Sequence, residues 1–382
     1  MKIKTISSKE AAPDMVVADD IFSFSGQLII PKGTVLTNRS ITRLKFYSIT
    51  DIKIVIEEES PEEVAEQPVE ETVEAVPEPA HEERAVQRES RNFSEAIRNT
   101  PEYQKFNESV LQSAEVLQNS LTDFLSKTDE EVDANQLLDQ TKDTIAASRN
   151  PLHTFHMLQS MREYDDATFI HSLNVSIICN AFGHWLGMNE EDIDTLTLAG
   201  LLHDVGKMKV PDSIIKKPSS LSEAEFAMVK LHPRRGYNIL KPLRIDQRIK
   251  NAALMHHERC DGSGYPSGLK ADEIDDFAKI VAIADIYDAM TSARVYRGPL
   301  CPFEVLTVFE TEGYLHFDSH FQLVFLENIV NSYMNNTVRL SDGRVGEIIM
   351  INKLSLSRPV VKVGDEFVDL SKEKDLTIEA ML

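Results

Sequence analysis

The stretch Leu202-His203-Asp204-Val205-Gly206-Lys207 decides how the rest of this chain is interpreted. It places an imidazole, a carboxylate and an ammonium within five consecutive positions. The leucine-rich run before it predicts a buried helix, and Gly206 is a residue that can end one. An imidazole beside a carboxylate at a buried helix end is costly unless a metal or hydrogen-bond partners compensate both groups. We therefore expect Asp204 to lie between two metal ions.

The composition limits the classes of function. The chain has 382 residues, of which 42% are hydrophobic, enough for two or three domains with a sizeable core. A net charge of −22 argues against a nucleic-acid polymer or an anionic membrane as partner. Three isolated cysteines, no signal-peptide pattern in residues 1–14 and no apolar run of membrane-spanning length favour a cytoplasmic protein. Any phosphate-bearing ligand must be held by local positive charge.

Changes of pattern predict five segments. Residues 1–56 contain short apolar runs bounded by turn residues, which predicts a small β-rich module. We interpret this module as a regulatory or docking domain. Residues 57–92 are predicted to be an acidic disordered linker, and residues 93–150 a helical connector whose apolar stripes serve packing, dimerisation or signal transfer. Residues 151–334 are predicted to be the helical domain that carries the chemistry. An Asp-Gly turn between short strands predicts a β-hairpin tail over residues 335–382.

Five of the eleven histidines occur in the helical segment at motif positions. His171 lies on an amphipathic helix predicted from about 166 to 185, and His232 precedes a proline that suits a first helical turn. Each of these two alone would more often be an ordinary core histidine than a ligand. The pair His256-His257 is more informative, because it closes a helix directly before a loop rich in glycine.

That loop ends in Gly264-Tyr265-Pro266, and its glycines permit the close approach of a ligand. A plain surface loop would account for the glycines but not for the histidine pair. The helix predicted from 277 to 291 carries Asp285 and Asp288 on one face, and an acidic residue in an apolar helix usually has a partner. The arginines that follow it, at 294 and 297, either clamp phosphate or are ordinary surface residues.

Together these motifs resemble the HD-GYP family, a branch of the HD metal-dependent phosphohydrolases. The resemblance covers about residues 151–333 and rests on His171-Ser172, His203-Asp204-Val205-Gly206-Lys207, His232-Pro233, His256-His257-Glu258, Asp261-Gly262-Ser263-Gly264-Tyr265-Pro266, Asp285-Ile286-Tyr287-Asp288 and Arg294-Val295-Tyr296-Arg297. It implies a mainly α protein, an HD-type helical bundle with a small β-rich N-terminal module and a short β C-terminal appendage.

The family pattern implies a site for two metal ions. The first ion would be held by His171, His203, Asp204 and Asp285. The second would be held by His232, His256 and His257, with Asp204 as the bridge. Such mixed imidazole and carboxylate sites suit iron or manganese, and zinc stays open. Some members place a ligand for a third metal four residues before the first histidine. This chain has Ala167 there, so we expect two metals.

The resemblance also implies a reaction. The typical substrate of the family is cyclic di-GMP, which a hydroxide activated by the two metals cleaves to linear pGpG and in some members on to GMP. Asp204 and Lys207 would be the catalytic residues, with Lys207 on the scissile phosphate. The Gly264-Tyr265-Pro266 loop would lie beside the guanine and a partner surface. Arg294 and Arg297 would contact the nucleotide.

Two alternatives remain at this point. A catalytically weak cyclic di-GMP receptor or scaffold is suggested by the acidic linker and the two β appendages, and it would bind nucleotide without hydrolysis. An HD phosphohydrolase of another nucleotide is disfavoured by the intact Gly264-Tyr265-Pro266 loop, and a substrate panel would identify it. The N-terminal module and this loop are candidate contacts for signalling proteins, and a homodimer is a candidate assembly.

Overall fold

The computed structural model divides into two units, Met1–Asn92 and Phe93–Leu382. It describes residues 2–7, 10–22, 28–37, 40–41, 44, 49, 51–56, 100–126, 133–148, 154–155, 157–158, 161, 168–217, 221–292 and 300–382. The linker predicted over 57–92 lies outside the described residues. In the described part of the chain, no helix is both long and apolar enough to cross a membrane.

The first unit contains short antiparallel strands. They are β1 Lys2–Ser7, β2 Val16–Val17, β3 Ile21–Phe22, β4 Leu28–Ile30 and β5 Asp51–Ile56. The central strand β5 pairs with β1 along its whole length and with β2 on its other side, while β3 pairs with β4. Alternate residues of β5, Ile52 and Ile54, are buried in a small apolar core, as the period of a half-buried strand requires.

The second unit is mainly helical. Its α-helices are α1 Pro101–Ser126, α2 Ala134–Ala146, α3 Thr168–Trp185, α4 Glu190–Leu202, α5 Asp212–Ile215, α6 Glu223–Val229, α7 His232–Leu240, α8 Gln247–Met255, α9 Asp276–Thr291, α10 Pro302–Val308, α11 Tyr314–His316 and α12 Ser319–Ser332. Short 3₁₀ helices span Val205–Lys209 and Ala271–Glu273, and a π-helical turn spans Phe309–Gly313. Several helix N-termini are capped by side chains, among them those of Asp133, Asn189, Asp275 and Asp318.

Helices α3 and α4 pack closely because small residues lie at their contact. A Cβ at Gly200 would lie 2.9 Å from the Cα of Ser176, and one at Gly183 would lie 2.9 Å from Ile193 Cγ1. Helix α3 is apolar on nearly all sides and is almost entirely buried, as expected for a helix at the centre of a bundle. This close packing fixes the relative position of α3, which carries His171, and of α4, which ends directly before His203.

Gly206 has a different role from the predicted helix stop. Helix α4 already ends at Leu202, and Gly206 lies inside the 3₁₀ helix Val205–Lys209. A Cβ at Gly206 would lie 1.9 Å from the backbone oxygen of His232 and 2.5 Å from the backbone nitrogen of Gly236. The glycine is required because the segment after Asp204 packs directly on the backbone of α7. This packing brings His232 to the carboxylate.

The C-terminal part forms a larger sheet than the predicted hairpin. Strands β6 Thr337–Leu340, β7 Val345–Met350, β8 Val360–Val363, β9 Glu366–Asp369 and β10 Ile378–Met381 form one antiparallel sheet in the order β10-β6-β7-β8-β9. The predicted hairpin is β6 and β7, with Gly343 at φ 87° in its turn. The mainly helical fold with β elements at both ends is therefore confirmed.

Candidate metal centre

All seven predicted metal ligands converge in one place. They come from separate elements: the start of α3, the segment after α4, the start of α7, the end of α8 and the middle of α9. Six of them are buried and His257 is half-buried. Their ligand atoms form two groups, each within 4.8 Å: His171, His203 and Asp285 in one, and Asp204, His232, His256 and His257 in the other.

The Asp204 carboxylate faces both groups. Its Oδ1 lies 3.2 Å from His232 Nε2 and 3.7 Å from His256 Nε2. Its Oδ2 lies 3.4 Å from His203 Nε2 and 3.7 Å from His171 Nε2. Each oxygen therefore points to a different pair of imidazoles, which is the arrangement a carboxylate needs to bridge two cations.

Backbone carbonyls set the tautomers of three histidines. The Nδ1 atom of His203 lies 2.7 Å from Gly200 O, that of His232 lies 2.7 Å from Val229 O, and that of His256 lies 3.0 Å from Ala252 O. Because a carbonyl only accepts hydrogen bonds, each Nδ1 must carry the proton. In the neutral imidazoles, Nε2 then presents a lone pair toward Asp204. Such outer hydrogen bonds are typical of metal-ligating histidines.

Among the described residues, these Nε2 lone pairs have no hydrogen-bond donor to accept from. His232 Nε2 and His256 Nε2 lie only 3.2 Å apart, so two lone pairs face one another. His203 Nε2 and Asp204 Oδ1 are buried and, in the described part of the chain, make no hydrogen bond of acceptable geometry. Unsatisfied buried polar atoms are costly, and cations bound by the two groups would satisfy all four. The residues present therefore fit a divalent metal centre.

The charges of the cluster favour ligation. Burial alone would raise the carboxyl pKa values, but Lys207 and His203 hold that of Asp204 well below its usual range, and His171 does the same for Asp285. Desolvation, with the neighbouring His256 and His232, holds the pKa of His257 well below its usual range. The carboxylates are therefore charged and His257 is neutral, as metal ligands must be.

His171 is the exception in the protein without metal. Burial lowers its pKa, but hydrogen bonds to Asp285 and Asp288 outweigh this and raise the pKa to about 10. His171 Nε2 lies 3.0 Å from Asp285 Oδ1, where a proton stands in for the positive charge that a metal would supply. Metal binding at this position must displace that proton.

Asp288 has a role that the sequence pattern did not reveal. Its Oδ2 accepts a hydrogen bond from His171 Nδ1 at 2.8 Å, and its Oδ1 accepts one from Asn174 Nδ2 at 3.2 Å. It therefore orients His171 through a carboxylate, whereas backbone carbonyls orient the three histidines described above. The signal in the sequence was the three-residue spacing from Asp285, which places both carboxylates on one helix face.

Glu258 organises the loop that follows the histidine pair. Only 4% of it is exposed, and its two oxygens accept hydrogen bonds from the backbone nitrogens of Ser267, at 2.7 Å, and Leu269, at 3.0 Å. A Cβ at Gly264 would lie 2.4 Å from the backbone nitrogen of Arg259, so only glycine fits there. This folding stacks the Tyr265 ring on His257, with centroids 4.7 Å apart.

Some of the remaining predicted residues lie at the metal centre, and the others lie outside the described residues. Lys207 is half-buried and forms an ion pair with Asp204 Oδ2, so its ammonium lies at the metal centre. The predicted loop lies at the edge of the metal centre, because the ring of Tyr265 stacks on His257. Gly264 and Pro266 flank this tyrosine in the chain. Arg294, Arg297 and Ala167 lie outside the described residues, and what was predicted of them stays a prediction.

Comparison with known proteins bears on the family. Residues 141–321 match a family model described as an HD domain. A cyclic di-GMP phosphodiesterase of Pseudomonas aeruginosa is 35% identical over 232 residues, which cover 60% of this chain and 55% of the relative. The cyclic di-GMP phosphodiesterase response regulator RpfG of Xanthomonas campestris is 42% identical over 147 residues, covering 38% of this chain and 39% of the relative.

A third relative is the 3'3'-cGAMP-specific phosphodiesterase 1 of Vibrio cholerae, 39% identical over 145 residues, covering 38% of this chain and 34% of the relative. The chain thus spans about half the length of the curated relatives it matches, or less. The matched segment contains every residue of the buried cluster and the loop stacked on it. The segment that carries the cluster is therefore similar to HD domains and to relatives named as phosphodiesterases of cyclic dinucleotides.

Proposed function

We propose that this protein is a metal-dependent phosphodiesterase that hydrolyses cyclic di-GMP. The observation that carries the proposal is the Asp204 carboxylate, whose two oxygens face separate imidazole pairs in a buried cluster where, among the described residues, His203 Nε2 and Asp204 Oδ1 lack hydrogen-bond partners. Such a cluster suits two divalent cations, and paired cations suit the displacement reaction of a phosphodiester. The names of the relatives support the same substrate class.

The proposed site holds two ions, iron or manganese. His171, His203 and Asp285 would hold one ion, and His232, His256 and His257 the other, with Asp204 shared. When bound, the two ions supply an activated nucleophile and stabilise the charge that develops on the phosphate oxygens. The donor set of imidazoles and carboxylates, without thiolates, is the basis for preferring these metals.

The protein's own groups position the substrate and stabilise charge. The Lys207 ammonium lies beside Asp204 and would contact the scissile phosphate, where it offsets negative charge in the transition state. The Nδ1 hydrogen bonds of His203, His232 and His256 hold the imidazoles in place before any ligand arrives. Tyr265, stacked on His257, forms the wall on which a guanine would rest.

We expect linear pGpG as the main product. The basis is the alanine at position 167, where a third metal ligand would be needed in the family pattern. Two metals suffice for one phosphodiester cleavage, and the second cleavage, to GMP, is expected to be slow. Elemental analysis that found three fully occupied metals in purified protein would contradict the two-metal site.

The decisive test compares wild type with Asp204→Ala, purified anaerobically under reducing conditions with iron or manganese. We expect wild type to hydrolyse cyclic di-GMP, and the variant to lose at least roughly 1,000-fold in kcat/KM, since the loss of a shared ligand costs several kcal/mol of transition-state stabilisation. The matched control is Asp212→Ala, which removes an exposed carboxylate paired with Lys216.

Substrate identity is tested in the same assay by offering 3'3'-cGAMP beside cyclic di-GMP. The proposal predicts a higher kcat/KM for cyclic di-GMP than for 3'3'-cGAMP. A higher value for 3'3'-cGAMP would instead indicate a substrate preference like the one in the name of the Vibrio cholerae relative. Tight binding of cyclic di-GMP without turnover would instead favour the receptor or scaffold. No turnover of any cyclic dinucleotide by the metal-loaded protein would overturn the enzymatic proposal.

A further inference from the structure

Lys230 lies between two aromatic rings at the edge of the metal centre. It follows α6 and precedes His232 by two residues. Its Nζ lies 5.0 Å from the centroid of the Phe226 ring and 5.3 Å from that of the Tyr265 ring. Since the Tyr265 ring stacks on His257 at 4.7 Å, one aromatic ring separates this ammonium from a proposed metal ligand.

The ammonium of Lys230 lacks an anionic partner in the part of the chain that the structure describes. Three of the lysines between α4 and α6 are paired: Lys207 with Asp204, Lys216 with Asp212 and Lys217 with Glu225. Cation–π contacts hold an ammonium in position but satisfy none of its three N–H donors. In a chain of net charge −22, a fixed cation without a carboxylate partner beside a metal centre is a binding group for an anion.

We propose that Lys230 binds the second phosphodiester of the substrate, the one that is not being cleaved. This inference rests on the proposed function, because a cyclic dinucleotide carries two phosphodiester anions and the proposed function assigns Lys207 and the metals to one of them. The acidic chain disfavours a dianion, so the second phosphate needs a local cation. Lys230 supplies it from the turn that also carries His232, and the two rings hold it there.

This assignment makes Lys230 a determinant of specificity. A phosphodiester with a single negative charge gains nothing from Lys230, whereas a cyclic dinucleotide gains a charge-assisted hydrogen bond. Two alternative roles of Lys230 predict other results in the experiment below. In the first, Lys230 contacts a guanine carbonyl. In the second, it only holds Tyr265 in its stacked position.

The experiment compares Lys230→Met, which keeps an apolar stem on the two rings, with Lys230→Arg, which keeps the charge. Two ligands separate the roles: cyclic di-GMP has two phosphodiesters and two guanines, and the linear dinucleoside monophosphate GpG has one phosphodiester and the same two guanines. The measurements are KM and kcat for cyclic di-GMP and the inhibition constant of GpG against it. The control variant, Lys372→Met, removes an exposed lysine of the C-terminal part.

We expect Lys230→Met to raise KM for cyclic di-GMP about 10-fold or more, as the loss of a hydrogen bond to a charged group typically does. The GpG inhibition constant should change by less than about 2-fold, and Lys230→Arg should restore KM. Equal losses for both ligands would overturn the assignment in favour of a guanine contact. A fall in kcat for Lys230→Met without a rise in KM would show that the lysine only positions Tyr265.

A failure of this inference is distinguishable from a failure of the proposed function. If metal-loaded wild type does not turn over cyclic di-GMP, the proposed function fails. The dissociation constants of both ligands, measured by equilibrium dialysis on the full-length variants, still test Lys230. Cyclic di-GMP that binds wild type and Lys230→Met equally well would overturn the inference.

Discussion

The metal centre and the loop after it solve the problem of buried polar groups in opposite ways. In the metal centre, His203 Nε2 and Asp204 Oδ1 have no hydrogen-bond partner among the described residues, and two imidazole nitrogens face one another at 3.2 Å. In the loop, the buried Glu258 carboxylate receives two backbone hydrogen bonds. The centre therefore keeps acceptors that a cation would satisfy, whereas the loop is complete without a ligand.

The loop is the preformed part of the site, and the cluster is not. The loop positions Tyr265 against His257 with interactions that belong to the protein alone. The cluster reaches its working charge state only when a metal replaces the proton of His171, whose pKa is about 10 without one. Substitutions in the cluster should therefore act on metal affinity, and substitutions in the loop on substrate binding or folding stability.

The largest effect after the loss of Asp204 is expected from Asp288→Asn. The amide can still accept a hydrogen bond from His171 Nδ1, but it removes the charge that supports this imidazole. Removal of such an outer-shell partner typically lowers metal affinity or activity about 10- to 100-fold. Metal affinity, measured by titration of the metal-free protein with Mn²⁺, should fall by this factor.

The control for Asp288→Asn is Asp276→Asn on the same helix, an exposed carboxylate paired with Lys279. Its metal affinity should equal that of wild type. If Asp288→Asn bound metal as tightly as the control, the role assigned to Asp288 would be wrong, and with it the idea that cluster substitutions act through the metal.

A smaller effect, of a different kind, is expected from Gly264→Ala. The added Cβ would lie 2.4 Å from the backbone nitrogen of Arg259, so the loop must shift. Such overpacking typically costs about 1–3 kcal/mol. The clash is with the backbone of Glu258 and Arg259, and we expect the glycine side of this contact to shift rather than the histidine pair, so KM for cyclic di-GMP should rise while metal content stays at the wild-type level. Ser267→Ala, an exposed position of the same loop, is the control, and loss of metal from Gly264→Ala would contradict the separation of loop and cluster.

Functional residues can be predicted from the sequence when their partners are adjacent in the chain. They are missed when their role depends on a residue that is distant in the chain. His203-Asp204 and His256-His257 are identifiable because adjacent ligand types in apolar helices rarely serve packing alone. The helix stop predicted at Gly206 is wrong, because the real constraint on this glycine is the His232 carbonyl, 26 residues later in the chain. The hydrogen bonds of Glu258 to Ser267 and Leu269 belong to the same class, since they exist only in the folded loop.

The fold divides in the same way. The apolar helices α3, α4 and α9 are predictable from their composition and spacing, and so is the β6–β7 hairpin from its Asp-Gly turn. Strand β1 is not, because its residues are mostly polar and one of its isoleucines, Ile3, is 60% exposed. It forms a strand because β5 pairs with it along its whole length, which no local pattern records.

The smallest expected effect belongs to Glu258, whose substitution tests whether the loop is complete by itself. Glu258→Gln keeps the size of the side chain and replaces a charged acceptor of two backbone hydrogen bonds with an amide that has one oxygen. One backbone N–H of these part-buried hydrogen bonds then loses its partner, and we expect the free energy of unfolding of the metal-free protein to fall by about 1–2 kcal/mol. Chemical denaturation without metal measures this directly. Glu273→Gln, whose exposed carboxylate accepts a hydrogen bond from the backbone nitrogen of Lys270, should change stability by less than about 0.5 kcal/mol. If Glu258→Gln lost stability only in the presence of metal, the loop would depend on the cluster, and the contrast between the two regions would not hold.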